Sequence, residues 1–293
     1  MEKVTTIAAW RALRASWSAE DGIGFVPTMG YLHKGHLALV EQARRENGYV
    51  AVSIFVNPLQ FGPQEDLDAY PRSLTRDLAM LTEAGVNAVF VPTAKTMYPA
   101  GYTTTVAAAG PLVTRLEGAR RPGHFAGVAS VVTKLFNIIT PTRAYFGQKD
   151  AQQLAVVRRL VADLDLPITI VAGPIIREAD GLAMSSRNVY LYAEERKAAL
   201  VLRRALEAGR HAIDHGERRA ESIRNTMRAV VEREPLATLD YVDVVHPESF
   251  VAMNKVTAPA LLPIVVRIGK PRLLDNYLWH ADGSWEIGQE VQS

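Results

Sequence analysis

Two histidines three residues apart, His33 and His36, lie in the stretch Met29-Gly30-Tyr31-Leu32-His33-Lys34-Gly35-His36. Imidazoles at that spacing on a first helical turn can face one anion. Gly35 leaves room between the rings for a phosphate to approach the backbone. The first N–H groups of a helix lack intrahelical partners, and the helix dipole favours negative charge there. The chemistry this suggests is recognition of a nucleotide phosphate. Two further polar clusters, Asn57-Pro58-Leu59-Gln60 and Gly147-Gln148-Lys149-Asp150, each follow an apolar run.

The elements that must position these clusters are legible in outline. Ile23–Val26 reads as a short buried strand, broken by Pro27 and followed by a turn at Thr28-Met29-Gly30. Leu39, Val40 and Ala43 recur at helical spacing after His36 and predict an amphipathic helix. Tyr49–Val56 is a continuous apolar, β-branched run, suited to a strand buried on both faces of a parallel sheet. Helices are expected at Trp10–Arg14, Asp68–Ala84, Val128–Ile139 and Ala151–Leu164. Strands are expected at Val86–Val91, Thr142–Phe146 and Ile168–Val171. The region 97–127, which holds Arg115, Arg120, Arg121 and His124, reads as irregular. This alternation implies an α/β fold with a Rossmann-like parallel sheet. In such sheets ligands bind beyond the strand C-termini, where all three clusters fall.

Past Pro174 the pattern changes. A polar loop, Arg177–Asn188, precedes helices at Ala193–His215 and Ala220–Glu234, then strands at Leu239–Val245, Leu261–Ile268 and Arg272–Leu278. We therefore expect two domains, 1–175 and a smaller α+β domain at 176–293. The tail after Asn276 carries no functional signal, and its last residues are expected to be loose.

Composition excludes several classes of function. Among 293 residues, Lys and Arg number 33 against 31 Asp and Glu, too even a balance for a general nucleic-acid surface. Cysteine is absent, which removes disulfides, thiol catalysis and Cys–zinc sites. The N-terminal residues lack a signal pattern, and no apolar run approaches the ~18 residues of a membrane span. A cytoplasmic soluble protein with no nucleic-acid or membrane partner is the expectation.

The residues from Met29 to His36 resemble the His-x-Gly-His signature of the nucleotidyltransferase superfamily, and Met184-Ser185-Ser186-Arg187 resembles its second phosphate-binding loop. Within that superfamily the chain is most similar to the pantothenate synthetase (pantoate–β-alanine ligase) family. The likeness rests on Pro27–Gly30, Ser53–Phe61, Asp66–Arg72, Arg121–Val128, Phe146–Asp150, Gln152-Gln153 and Asp180–Asn188, and runs from about residue 4 to Asn276. It implies ATP-dependent condensation of (R)-pantoate with β-alanine through a non-covalent pantoyl-adenylate, a C-terminal lid domain and a homodimer. It implies roles in catalysis for His36, His33, Lys149 and Arg187. It places ATP at Met29 through His36, at Gly147, Gln148, Lys149 and Asp150, at the Ile176 backbone, and at Met184 through Arg187. Gln60 and Gln153 would bind pantoate, with Met29 and Phe61 walling its gem-dimethyl carbon. Arg121 and His124 are either secondary substrate contacts or surface residues. Mg²⁺ is expected with ATP, held mainly by phosphates. Asp77 matches a metal-ligand position of some relatives, but Arg76 stands where some carry a second acid, so no protein metal ligand is assigned.

Two other readings remain open at this point. One is a nucleotidyltransferase that stops at the nucleotidylated product. The other is a non-catalytic nucleotide sensor on the same fold.

Overall fold

The computed structural model describes residues 1–18, 20–63 and 65–291. The chain sorts into two units. The first comprises Met1–Gly147 and Val156–Gly173, and the second Gln148–Ala155 and Pro174–Ser293. Residues 148–155 thus group with the chain beyond 174.

The first unit holds strands β1 (Glu2–Val4), β2 (Ile23–Thr28), β3 (Tyr49–Ile54), β4 (Ala88–Phe90), β5 (Arg143–Gly147) and β6 (Thr169–Gly173). Its helices are α1 (Ile7–Ala15), α2 (Lys34–Glu46), α3 (Leu74–Glu83), α4 (Ala94–Met97), α5 (Pro111–Thr114), α6 (Glu117–Arg120) and α7 (His124–Ile139), and α8 (Ala151–Asp163) begins in the second unit. The strands form one parallel sheet in the order β1-β4-β3-β2-β5-β6. Chain progression runs one way from β2 through β3 to β4 and the other way through β5 to β6. The direction therefore reverses between β2 and β5, the crevice where open α/β sheets bind ligands. The C-terminal ends of these two strands deliver Met29-Gly30 and Gly147. Helix α2 is fastened to the sheet by Leu39, Val40 and Ala43, which join Val26, Val50, Val52 and Tyr145 in one core.

Several boundaries differ from the sequence expectation, and three of them have a local physical reason. Pro27 does not end β2 but pairs with Ser53 inside it. A proline lacks the ladder N–H, and here β5 pairs only with Gly24 and Phe25, so the far side of β2 at Pro27 has no ladder to lose. Helix α3 starts at Leu74 rather than Asp68. Pro71 restrains Tyr70 to extended backbone, and the Arg72 guanidinium donates to the carbonyls of Leu67, Asp68 and Tyr70 at 2.6, 3.1 and 3.1 Å, closing a loop instead. Helix α7 starts at His124 rather than Val128, behind Gly123 at φ 83°.

The second unit contains β7 (Ile176–Arg177), α9 (Ala193–Ala198), α10 (Val201–Asp214), α11 (Ala220–Glu232), β8 (Ala237–Val242), β9 (Ala260–Ile268), β10 (Arg272–Trp279), β11 (Trp285–Glu286) and β12 (Gln289–Glu290). The order β11-β10-β9-β8 is antiparallel, and β12 pairs β7 in parallel. The helix expected at Ala193–His215 is divided near Ala199, where Leu200 and Leu202 donate three residues back, to Lys197 and Ala199. One stripe of α10, including Leu202, Leu206 and Ile213, packs with Ile223 and Met227 of α11 and Leu262, Ile264 and Val266 of β9.

The tail is built into this unit rather than loose as far as Val291; Gln292 and Ser293 lie outside the described residues. Arg177, 1% exposed, fixes it. Its guanidinium donates to both Asp275 oxygens at 2.6 and 2.9 Å, to the Gly181 carbonyl at 3.1 Å and to the Ile287 carbonyl at 2.6 Å. Removing one partner of such a buried pair strands the other charge. Asp275→Ala is therefore expected to lower unfolding free energy by about 3–5 kcal/mol, and Arg177→Met with Asp275→Leu by much less. Urea unfolding followed by tryptophan fluorescence checks the difference.

Candidate active site

The turn between β2 and α2 is held from several sides. Gly30 has φ 86°, and a Cβ there would press on Ile54 and Asp77 at 3.0 and 3.1 Å. The Thr28 hydroxyl accepts from Gly30 N at 3.2 Å and donates to the Ser53 carbonyl at 2.8 Å. Tyr31 is left-handed at φ 50°. His33 caps α2: its Nδ1 accepts from Gly35 N at 3.1 Å, while Nδ1 of His36 accepts from His33 N at 3.3 Å. The rings lie 4.0 Å apart at 37°.

This corrects the expectation of partnerless first-turn amides. The N–H groups of Gly35, His36 and Leu37 all bond within the capped turn, and those of Tyr31 and Leu32 bond to Asp77. With both Nδ1 atoms accepting, each neutral ring carries its proton on Nε2.

Gln60 belongs to the same unit and reaches the turn through Nε2, which lies 3.2 Å from Met29 Sδ. It ends a short 3₁₀ turn, Pro58–Gln60, capped by Asn57. Asn57 Nδ2 donates to Gln60 Oε1 at 3.0 Å and to the Gly127 carbonyl at 3.1 Å. Its Oδ1 accepts from the Tyr98 hydroxyl at 2.7 Å. These contacts fix the flip of the Gln60 amide, with Oε1 engaged and the NH₂ edge as donor. Gly127 lets the turn sit on α7, since a Cβ there would collide with the Leu59 carbonyl. Phe61 packs edge-on against Tyr70 with centroids 5.9 Å apart.

His124 is not a surface residue, and Arg121 beside it is partly buried. His124 is buried, with Nδ1 2.9 Å from the Gln60 carbonyl and Nε2 3.1 Å from Arg121 Nη1. Arg121 donates to both Glu65 oxygens at 2.8 and 2.7 Å. An acceptor on Nδ1 and a cationic donor on Nε2 require the neutral Nδ1–H tautomer, opposite to that of His33 and His36. Burial, reinforced by the Arg121 charge, lowers the His124 pKa from the ordinary 6.5 to about 4.

The remaining candidates lie in the second unit, apart from Gly147 at the end of β5. Gln148, Lys149 and Asp150 form a 3₁₀ turn leading into α8. Asn276 organises it, donating from Nδ2 to the carbonyls of Gln148 and Lys149 at 3.1 and 2.9 Å. Lys149 Nζ lies 3.7 Å from Asp150 Oδ1. Gln153 is half-buried on the first turn of α8. The Ile176 carbonyl accepts from Met184 N at 2.9 Å. Ser185 caps the 3₁₀ turn Ser186–Tyr190, its hydroxyl accepting from Arg187 N at 3.2 Å. Asn188 Nδ2 ties that turn to Glu178 at 2.7 Å, and Arg196 holds Glu178 at 2.9 Å.

The sequence alone gives Asn57, Tyr98 and Asn276 no role. Asn57 had a local signal, an Asn before Pro at a turn start. Tyr98 and Asn276 lie 41 and 128 residues from the groups they orient, and no local pattern marks them. No group of three or more His, Cys, Asp or Glu placed to hold a metal occurs among the described residues.

The model of the family described as Pantoate-beta-alanine ligase matches residues 2–278. A relative named pantothenate synthetase from Roseiflexus castenholzii is 54% identical over 281 residues, covering 96% of this chain and 100% of its own. A crystal structure of pantothenate synthetase from Thermus thermophilus superposes with TM-score 0.90 at 49% identity, covering 99% of this chain and 100% of that one. A pantoate-beta-alanine ligase from Francisella tularensis, complexed with beta-gamma ATP and beta-alanine, has TM-score 0.79 and 34% identity over 95% of this chain and 97% of its own.

His124 makes the Gln60 turn sensitive to acid. Its folded pKa lies below the unfolded value, so the unfolded chain binds the extra proton first. Stability therefore falls as pH drops from 6.5 towards about 4. His124→Gln is expected to flatten that part of the stability profile, as read by denaturant melts at stepped pH.

Proposed function

The chain belongs to the pantoate–β-alanine ligase family, and from that premise we propose that it condenses (R)-pantoate with β-alanine, driven by ATP, to give pantothenate, AMP and pyrophosphate. The observation that carries the assignment of roles is the pair of imidazoles whose Nδ1 atoms both accept backbone N–H groups.

In the first step a pantoate carboxylate oxygen attacks the α-phosphorus of ATP. The bond to the bridging oxygen breaks, and pyrophosphate leaves with its electron pair. The nucleophile is ionised at neutral pH, so no protein nucleophile or strong base is needed. His33 and His36 donate from Nε2 to phosphate oxygens as charge grows there. Lys149 supplies a point charge and Arg187 a planar fork for the β- and γ-phosphates. Ser185 and Ser186 add further donors. Gln60 holds pantoate through its NH₂ edge, with Oε1 turned to Asn57 Nδ2; Gln153 supplies a second amide. In the second step the β-alanine amine attacks the acyl carbon of the pantoyl-adenylate. A C–N bond forms, the C–O bond to phosphate breaks, AMP leaves and the nitrogen gives up a proton.

Mg²⁺ enters as part of the MgATP substrate, held by phosphate oxygens and water. A homodimer and a cytoplasmic location belong to the same reading. No helix among the described residues is long and apolar enough to cross a membrane.

The wild-type chain is expected to form pantothenate, detected by mass, and to need β-alanine for continued pyrophosphate release. His36→Ala should lower kcat about 10²–10³-fold. Absence of pantothenate, or sustained pyrophosphate release without the amine, overturns the proposal.

A further inference from the structure

Beside the His33–His36 turn stands a carboxylate that the mechanism above does not use. Asp77, on the first turn of α3, is 1% exposed. Its Oδ2 accepts from Tyr31 N at 2.7 Å and its Oδ1 from Leu32 N at 2.8 Å. The neighbouring Arg76 donates to the Leu32 carbonyl at 2.8 Å, and its guanidinium lies 5.0 Å from the centroid of the Tyr31 ring. Tyr31 is the residue held left-handed at φ 50°.

A left-handed residue turns successive N–H groups towards one side and makes a concave anion receptor. In this chain the receptor is filled from within, by the Asp77 carboxylate. Each of its oxygens accepts a backbone amide, and no further acid in a metal-holding group accompanies it among the described residues. Arg76 beside it is a cation, which disfavours a second cation at the same place.

We infer that Arg76 and Asp77 form a clamp that sets the path of Tyr31 and Leu32, and so positions His33 and His36 for the ATP phosphates, and that Asp77 is not a ligand of Mg²⁺. The inference rests on the reading that this turn receives ATP. Asp77 and Arg76 are positioning residues. They touch the backbone that carries the imidazoles and act through it.

The test uses full-length Asp77→Ala, Asp77→Asn and Arg76→Ala beside wild type. Steady-state pyrophosphate release is measured against ATP, pantoate and Mg²⁺, and ATP binding is measured by calorimetry. Misplacing the turn is expected to lower kcat/KM for ATP about 10²-fold in Asp77→Ala, while the midpoint of Mg²⁺ activation and KM for pantoate stay within about twofold. Asp77→Asn, which keeps one acceptor oxygen, should fall between Asp77→Ala and wild type, and Arg76→Ala should lose about fivefold. A general loss of folded protein would lower kcat by active fraction and leave KM for ATP unchanged. An Asp77→Ala enzyme whose Mg²⁺ midpoint rises about tenfold and whose ATP parameters recover at saturating Mg²⁺ overturns the inference in favour of a metal ligand. So does wild-type kcat/KM for ATP in Asp77→Asn and Arg76→Ala together, which decides the matter if Asp77→Ala does not fold. Failure of wild type to make pantothenate removes the ligase reading alone. The clamp is then judged by calorimetry, where weaker ATP binding by Asp77→Asn supports it and equal binding overturns it.

Discussion

Two consecutive backbone N–H groups, those of Tyr31 and Leu32, converge on one buried carboxylate, and this contact governs how the chain leaves β2. Left-handed backbone at a tyrosine costs on the order of 1–3 kcal/mol. Hydrogen bonds to a charged acceptor contribute about 1.5–3 kcal/mol each. The two bonds therefore outweigh the strain, and the turn can persist where an isolated peptide would relax. The direction of α2, the seating of Leu39, Val40 and Ala43 on the sheet and the placement of both imidazoles all follow from that turn.

The cap of α2 is unusual in its chemistry. Ser, Thr, Asp and Asn are the common N-caps. A histidine in that role couples the cap to a tautomer, because only an unprotonated Nδ1 can accept the N3 or N2 amide. The same residue type serves the opposite purpose at position 124. There the Gln60 carbonyl accepts a hydrogen bond from Nδ1–H, and the Arg121 guanidinium donates to Nε2. Three histidines in one unit thus differ in tautomer through their partners, His33 and His36 accepting at Nδ1 and His124 donating from it to the turn that carries Gln60.

Much of this was visible in the residues. The apolar runs of β2, β3 and β5 and the periodicity of Leu39, Val40 and Ala43 are local signals, and they placed the clusters at strand ends. Local rules fail where neighbours intervene. Pro27 reads as a strand breaker, yet it sits in a ladder whose other side is absent. Asp68–Arg72 continues a helical pattern, yet Pro71 and the Arg72 guanidinium close a loop. The residues around Trp285 and Gln289 look featureless, yet Arg177 and β7 hold them through contacts about a hundred residues away.

By itself the sequence determined the class of chemistry. His-x-Gly-His, Lys149, the Ser185–Arg187 loop and the two glutamines state their donors and charges through residue type and order, which survive without coordinates. Only the tertiary structure decided which atoms are available. The His33 and His36 tautomers follow from contacts within three residues, whereas the amides of Tyr31 and Leu32 are taken up by Asp77 and the Asn57 amide that faces Gln60 is oriented by Gly127 and Tyr98, partners remote in the chain. Buried polar groups are paired in the folded chain, so the neighbours an atom bonds shape what it can do, and those neighbours are set only once the chain has folded.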